Sequence, residues 1–207
     1  MSKKDITEVE LGEYKVAKMA VLSADIRNFT ATSEKLTPIQ VFDMLNSYLG
    51  RIAPLIRKYN GLIEKYLGDG IIALFPENAV SALNCAVEMQ EQMIELRNDF
   101  LKKGMPLIKI GIGVHYGNIV IGTGGANERM TEISLSDDID IAIKTEAATK
   151  IYDRKIIVTK DALDRAAAEV REQGKKFNFS GEKIEVGAEA ETPQLYALYT
   201  NKIGKTL

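Results

Sequence analysis

The run Leu62-Ile63-Glu64-Lys65-Tyr66-Leu67-Gly68-Asp69-Gly70-Ile71-Ile72-Ala73-Leu74-Phe75 constrains the fold of this chain more than any other stretch. Two apolar segments flank Gly68-Asp69-Gly70, the pattern of antiparallel strands joined by a tight turn, with glycines where positive φ is needed and one carboxylate at the tip. A carboxylate on a rigid turn can serve a metal, yet Asp-Gly is also the commonest plain hairpin turn. The chain supplies a second acid in a comparable setting: Asp25 closes the strand-like run of Ala20-Val21-Leu22-Ser23-Ala24-Asp25-Ile26-Arg27-Asn28-Phe29-Thr30.

The rest of the pattern falls in order around these two segments. Residues 1–13 are polar and mixed and are expected to be a lead-in, with a single domain over 14–207. Tyr14 to Ala24 reads as a central buried strand. Ile26 to Leu36 reads as a polar turn, after which Thr37-Pro38 supplies an N-cap and a first helical residue. Val41, Leu45, Tyr48, Ile52, Leu55 and Tyr59 recur at helical spacing, with a kink or break expected near Gly50 and Pro54. Glu77 to Lys103 reads as a second long helix with Val80, Leu83, Val87, Ile94 and Leu101 on its buried face. Leu107 to His115 and Asn118 to Gly122 read as a hairpin turned at Tyr116-Gly117, followed by a strand over Met130 to Leu135. A helix capped by Ser136 runs to about Tyr152. A short strand over Lys155 to Thr159, a short helix over Asp161 to Glu169 and two last strands, Phe177 to Val186 and Gln194 to Tyr199, complete the chain. This order predicts an α+β fold: a ferredoxin-like βαββαβ core with added strands and helices.

Composition excludes several function classes. With 27 basic against 29 acidic residues the net charge is −2, which gives no basic footprint for nucleic acid or an anionic membrane. No apolar run reaches the length of a spanning helix, and no signal-type segment follows Met1, so a cytoplasmic location is expected, as a separate protein or as part of a larger one. The single cysteine, Cys85, sits in a helical pattern as a small hydrophobe, consistent with a reducing compartment. His115, the only histidine, lies in an apolar strand without a second histidine or cysteine nearby and reads as structural. Arg129 reads as a solvated loop residue.

Three blocks in register, Ala24-Asp25-Ile26-Arg27-Asn28-Phe29-Thr30, Lys65 to Phe75, and Ile110-Gly111-Ile112-Gly113-Val114-His115-Tyr116-Gly117, resemble those of the class III nucleotidyl cyclases, the adenylate and guanylate cyclase catalytic domain. The resemblance runs from about residue 16 to 200. It implies that Asp25 and Asp69, 44 residues apart, meet across adjacent strands to hold two Mg2+ or Mn2+ ions, with the Ile26 carbonyl completing a site. Backbone amides from Arg27 through Asn28 and Phe29 to Thr30 would cradle the β- and γ-phosphates of ATP or GTP. Lys65, four residues before the second aspartate, stands where the family reads the adenine ring.

The sequence also departs from the family. Where the family places an Asn and, four residues on, an Arg that steady the ribose and the transition-state phosphate from the partner subunit, this chain has Asp140 and Lys144. An acid there faces a polyanion, a lysine lacks the planar fork of arginine, and the two are spaced to pair with each other. Ile133 replaces an acid or threonine that helps read the purine, and Val186-Gly187-Ala188 replaces a Lys-Gly-Lys that supplies a phosphate lysine. The altered positions belong mostly to the half of each composite site given by the partner.

Two functions fit. One is an enzyme, a metal-dependent adenylate cyclase-type domain with a degenerate transition-state site. It would act as a homodimer, or as the metal-bearing half of a heterodimer whose other chain carries Asn and Arg. The other is a nucleotide-binding, cyclase-like regulatory dimer without turnover. An unliganded dimerisation domain is disfavoured by the retained aspartate pair.

Overall fold

A computed structural model describes residues 14–76, 78–126, 129–174, 178–185 and 193–200, with backbone alone for 123–126 and 129–135. The lead-in expected over 1–13 and the Val186-Gly187-Ala188 segment lie outside the described residues. In chain order the elements are β1 (Tyr14–Ile26), α1 (Phe29–Ser33), α2 (Pro38–Lys58), β2 (Leu62–Leu67), β3 (Gly70–Phe75), α3 (Ala79–Lys102), β4 (Ile110–Ala126), β5 (Arg129–Leu135), α4 (Asp137–Ile151), β6 (Ile156–Thr159), α5 (Lys160–Glu172), β7 (Ser180–Ile184) and β8 (Leu195–Tyr199). The sheet order β2-β3-β1-β4-β6-β8-β7 contains the ferredoxin-like core as its first four strands. β6 runs parallel to β4, β8 and β7 extend the sheet antiparallel, and β5 pairs with the outer part of β4.

Strand periodicity divides the core into two layers. Ala20, Leu22, Ala24 and Ile26 of β1 face α2, α3 and α5, together with Ile71, Ala73 and Phe75 of β3 and Ile110, Ile112 and Val114 of β4. The alternate residues Met19, Val21, Ile72, Leu74, Ile119 and Ile121 face α4 through Ile139 and Ala142. Each fully buried Leu, Ile or Phe of these layers contributes about 1.5–3 kcal/mol. Cys85 is buried among them, as its setting in the sequence implied. Among the described residues no helix is long and apolar enough to cross a membrane.

Local chemistry sets the helix ends. Thr37 and Gln40 form a reciprocal capping box with Pro38 in the first turn of α2. Asn78 caps α3 by accepting from the Ser81 amide at 2.7 Å, and the buried Glu169 of α5 accepts from the Ala79 and Val80 amides, each at 3.0 Å.

Several sequence expectations are corrected. The hairpin expected at Tyr116-Gly117 is absent: β4 runs straight through it, and its partner is β5. Gly117 is there because a Cβ would overlap the Asp138 carboxylate, not because the chain turns. Arg129 therefore opens a strand rather than sitting in a loop. α2 is unbroken: Pro54 gives up only its bond to the Gly50 carbonyl, and both residues are exposed, so water can take that acceptor. Ile94 and Leu101, expected in the core, are exposed, and α3 instead buries Ala82, Leu83, Ala86, Met89, Met93, Leu96 and Phe100. The polar turn after β1 contains the short helix α1. Of the two hairpin glycines only Gly68 has positive φ, 64°.

Candidate active site

β1 ends beside the β2–β3 turn because β1 and β3 pair antiparallel, with Ala24 opposite Ile71. This register places Asp25 next to Asp69. Gly70 leaves room beside the pair: a Cβ there would stand 3.1 Å from Asp25 Oδ1, a tight contact. Burial, and then the neighbouring Asp25 charge, push the Asp69 carboxyl up to about 6 against the opposing pull of the Asp69 and Ile26 amides. Asp69 Oδ2 is buried with no hydrogen-bond partner. An orphaned carboxylate oxygen beside a second carboxylate is an arrangement that a hard divalent cation satisfies. Among the described residues no three His, Cys, Asp or Glu side chains cluster to hold a metal by themselves, so the remaining donors would be backbone and substrate oxygens.

The two aspartates open into a hollow of about 290 Å³ also lined by Ile26, Arg27, Asn28, Phe29, Thr30, Glu146, Ala147 and Lys150. Asn28 takes a left-handed conformation, φ 53° and ψ 37°, which turns the chain from β1 into α1 and curls the residues assigned to the phosphates around one side of the hollow.

The sequence reading did not assign side-chain roles to Arg27 and Glu146. The Arg27 side chain is 12% exposed, and its guanidinium donates to Thr149 Oγ1, lies 3.8 Å from Glu146 Oε1 and reaches the Arg154 carbonyl at 3.5 Å. Its backbone N–H donates to the Lys109 carbonyl at 2.8 Å. Gly111 and Gly113 of β4 leave the room: a Cβ at Gly111 would overlap Thr149, Arg27 and Glu146, and one at Gly113 would overlap the α4 backbone. Burial and the nearby Asp25 push the Glu146 carboxyl up to about 7 despite Arg27 and Thr149. The only sequence signal for this clasp was the pair of glycines at alternate positions of a strand that otherwise buries large residues.

The remaining predicted residues lie elsewhere. Lys65 and Asp140 share a second, more open hollow of about 700 Å³ with Asn118, Val120, Ser136, Asp137, Asp138 and Ile139. Lys144, on the next turn of α4, is exposed, and no ion pair joins it to Asp140 among the described residues. Ile133 lies on β5 opposite Gly122. Within one chain, then, the acids and the 26–30 turn gather in one hollow while Lys65 and Asp140 gather in another. His115 underpins the second hollow as a buried structural residue. Its Nε2 lies 3.1 Å from Asp138 Oδ1 and its Nδ1 2.9 Å from Thr159 Oγ1, while Asp138 Oδ2 accepts the Asn118 N–H at 2.6 Å.

Compared with known proteins, residues 12–198 match the family described as the adenylate and guanylate cyclase catalytic domain. An adenylate cyclase of Anabaena cylindrica is 35% identical over 163 residues, covering 76% of this chain and 32% of that protein. The chain thus spans about a third of that relative's length. Among solved structures, the adenylyl cyclase CyaB from P. aeruginosa superposes with a TM-score of 0.76 at 24% identity, covering 93% of this chain and 100% of that one. The guanylate cyclase domain of RhGC from Catenaria anguillulae, solved in complex with GTP, gives 0.70 at 17% identity, covering 90% and 98%.

Proposed function

Because the chain belongs to the adenylate and guanylate cyclase catalytic domain family, we propose that it converts a purine nucleoside triphosphate, ATP in preference to GTP, into its 3′,5′-cyclic monophosphate and pyrophosphate. The observation that carries this reading is the pairing of Asp25 with Asp69 at the mouth of a hollow whose other wall is the 26–30 turn. In the reaction the ribose 3′-oxygen attacks the α-phosphorus in line, the bond to the pyrophosphate oxygen breaks, and the hydroxyl proton is lost to solvent. Positioning and charge neutralisation dominate such a transfer. Asp25, Asp69 and the Ile26 carbonyl would hold two Mg2+ or Mn2+ ions, which when bound acidify the attacking hydroxyl and neutralise the leaving phosphates. The turn orients the β- and γ-phosphates. Lys65 offers only hydrogen-bond donors, which suits the acceptor nitrogens of an adenine ring.

A complete site needs a second chain in this reading. Lys65 and Asp140 occupy a different hollow from Asp25 and Asp69, so a two-fold pair would present one copy's acids to the other copy's α4. Asp140 and Lys144 then make the transition-state half of the homodimer site weak, which a heterodimer with a chain carrying Asn and Arg would correct.

The test is thermal. Mn2+ with a non-hydrolysable ATP analogue is expected to raise the melting temperature, since a ligand that binds only the folded state stabilises it. Asp25→Asn with Asp69→Asn should abolish the shift, and an equal shift in that variant removes the metal assignment. Paired with a cyclase assay, the same experiment separates an enzyme from a regulatory dimer, which would bind the analogue and form no cyclic nucleotide.

A further inference from the structure

The hollow that holds the acids is lined by three carboxylates, Asp25, Asp69 and Glu146, and by two cations, Arg27 and Lys150. The cations are not equivalent. Arg27 is committed to Thr149, Glu146 and the Arg154 carbonyl. Lys150 is exposed and has no ion-pair or side-chain hydrogen-bond partner among the described residues. We propose that Lys150 binds the β- and γ-phosphates of the triphosphate, from the same chain that supplies Asp25 and Asp69. This rests on reading the hollow as the nucleotide site.

The geometry of α4 supports the assignment. Glu146 and Lys150 are an acid and a base four residues apart, in the orientation that ordinarily forms a surface pair on a helix. That pair does not form. Glu146 is buried against Arg27, 10% exposed at its side chain, and Lys150 is left free one residue beyond Thr149, the other partner of Arg27. The clasp therefore fixes the backbone of Lys150 against the hollow while its side chain stays unspent. An ammonium on a four-carbon stem, with three donors and no fixed plane, suits phosphate oxygens whose positions change as pyrophosphate departs. The competing role is a cation complementing the C-terminal end of α4. That role needs no ligand.

Calorimetric titrations in Mn2+ distinguish the two. The probes are 3′-deoxy-ATP, which lacks the attacking hydroxyl, 3′-deoxy-AMP, which lacks the distal phosphates, and pyrophosphate. Lys150→Ala is expected to weaken 3′-deoxy-ATP and pyrophosphate about tenfold and to leave 3′-deoxy-AMP unchanged, on the scale of one lost charge-assisted contact. Lys150→Arg should recover most of the loss. Lys103→Ala, an equal charge change just past the end of α3, should have no effect on any probe. Equal binding of 3′-deoxy-ATP by the Lys150→Ala variant, or a loss shared by 3′-deoxy-AMP, overturns the assignment while leaving the nucleotide reading intact. If the unaltered chain binds neither 3′-deoxy-ATP nor pyrophosphate with Mn2+, the nucleotide reading itself falls, and the Lys150 assignment with it.

Discussion

Asp69 and Glu146 both hold protons more tightly than free carboxylic acids, each first because of burial and then because of Asp25. The folded state therefore binds more protons than the unfolded chain from the ordinary carboxylate range up to about pH 7. Stability then falls as pH rises through that window. The melting temperature without metal is expected to decline between about pH 4 and pH 7, and Asp69→Asn with Glu146→Gln should flatten that decline. A profile unchanged by the double substitution would show that these two acids do not set it. Divalent cation should oppose the slope, because it binds the deprotonated pair. The second residue-scale prediction concerns Asp140 and Lys144, exposed and unpaired with each other. Asp140→Asn with Lys144→Arg removes a negative charge and restores a planar fork. It is expected to raise cyclic nucleotide formation about tenfold or more, short of the 10²- to 10³-fold that one preorganised contact can provide, since residues acting as a unit do not add. An activity assay that finds no gain means these positions do not limit turnover.

At the scale of elements, the approach of α4 to β4 depends on missing side chains. Gly113 lies under the Glu146 amide and the Ala142 carbonyl, where a Cβ would meet helix backbone rather than a flexible side-chain end. Gly113→Ala should therefore cost at least about 3 kcal/mol, at the upper end for overpacking. Urea denaturation reads this directly, and a loss under about 1 kcal/mol would mean that α4 can shift outward freely. The same glycines explain what was and was not legible in the sequence. The inner half of β1, the Asp69 hairpin and the capped helix starts are written in local periodicity and turn chemistry and stand where that chemistry puts them, whereas Tyr14 and Val16, read into the same buried strand, are exposed at its outer end. Gly117 misled because a glycine after an aromatic residue in an apolar run looks like a turn, whereas its cause is Asp138, distant in sequence. Ile94 and Leu101 misled because a helical stripe states which residues share a face without stating how far the neighbouring layer extends. Arg27 and Glu146 meet through tertiary packing, for which the alternate glycines of β4 mark the space without naming the residues that fill it.

For the whole molecule, the proposed nucleotide site calls for a partner, because its residues divide between two hollows of one chain. Sedimentation at high protein concentration is expected to show a homodimer, and a strictly monomeric chain would argue against a site shared between copies. The consequence reaches further through α4. Asp140 lines the open hollow near its start, while Glu146, Thr149 and Lys150 border the acidic hollow near its end. In a two-fold pair each α4 would then be a tenant of two sites, and damage to the two halves should sort genetically. A chain carrying Asp25→Asn and a chain carrying Lys65→Ala, each inactive alone, would when mixed give heterodimers in which both lesions fall on one site and the other is restored. Activity in the mixture beyond the sum of the two separate chains is the expected sign of this trans complementation.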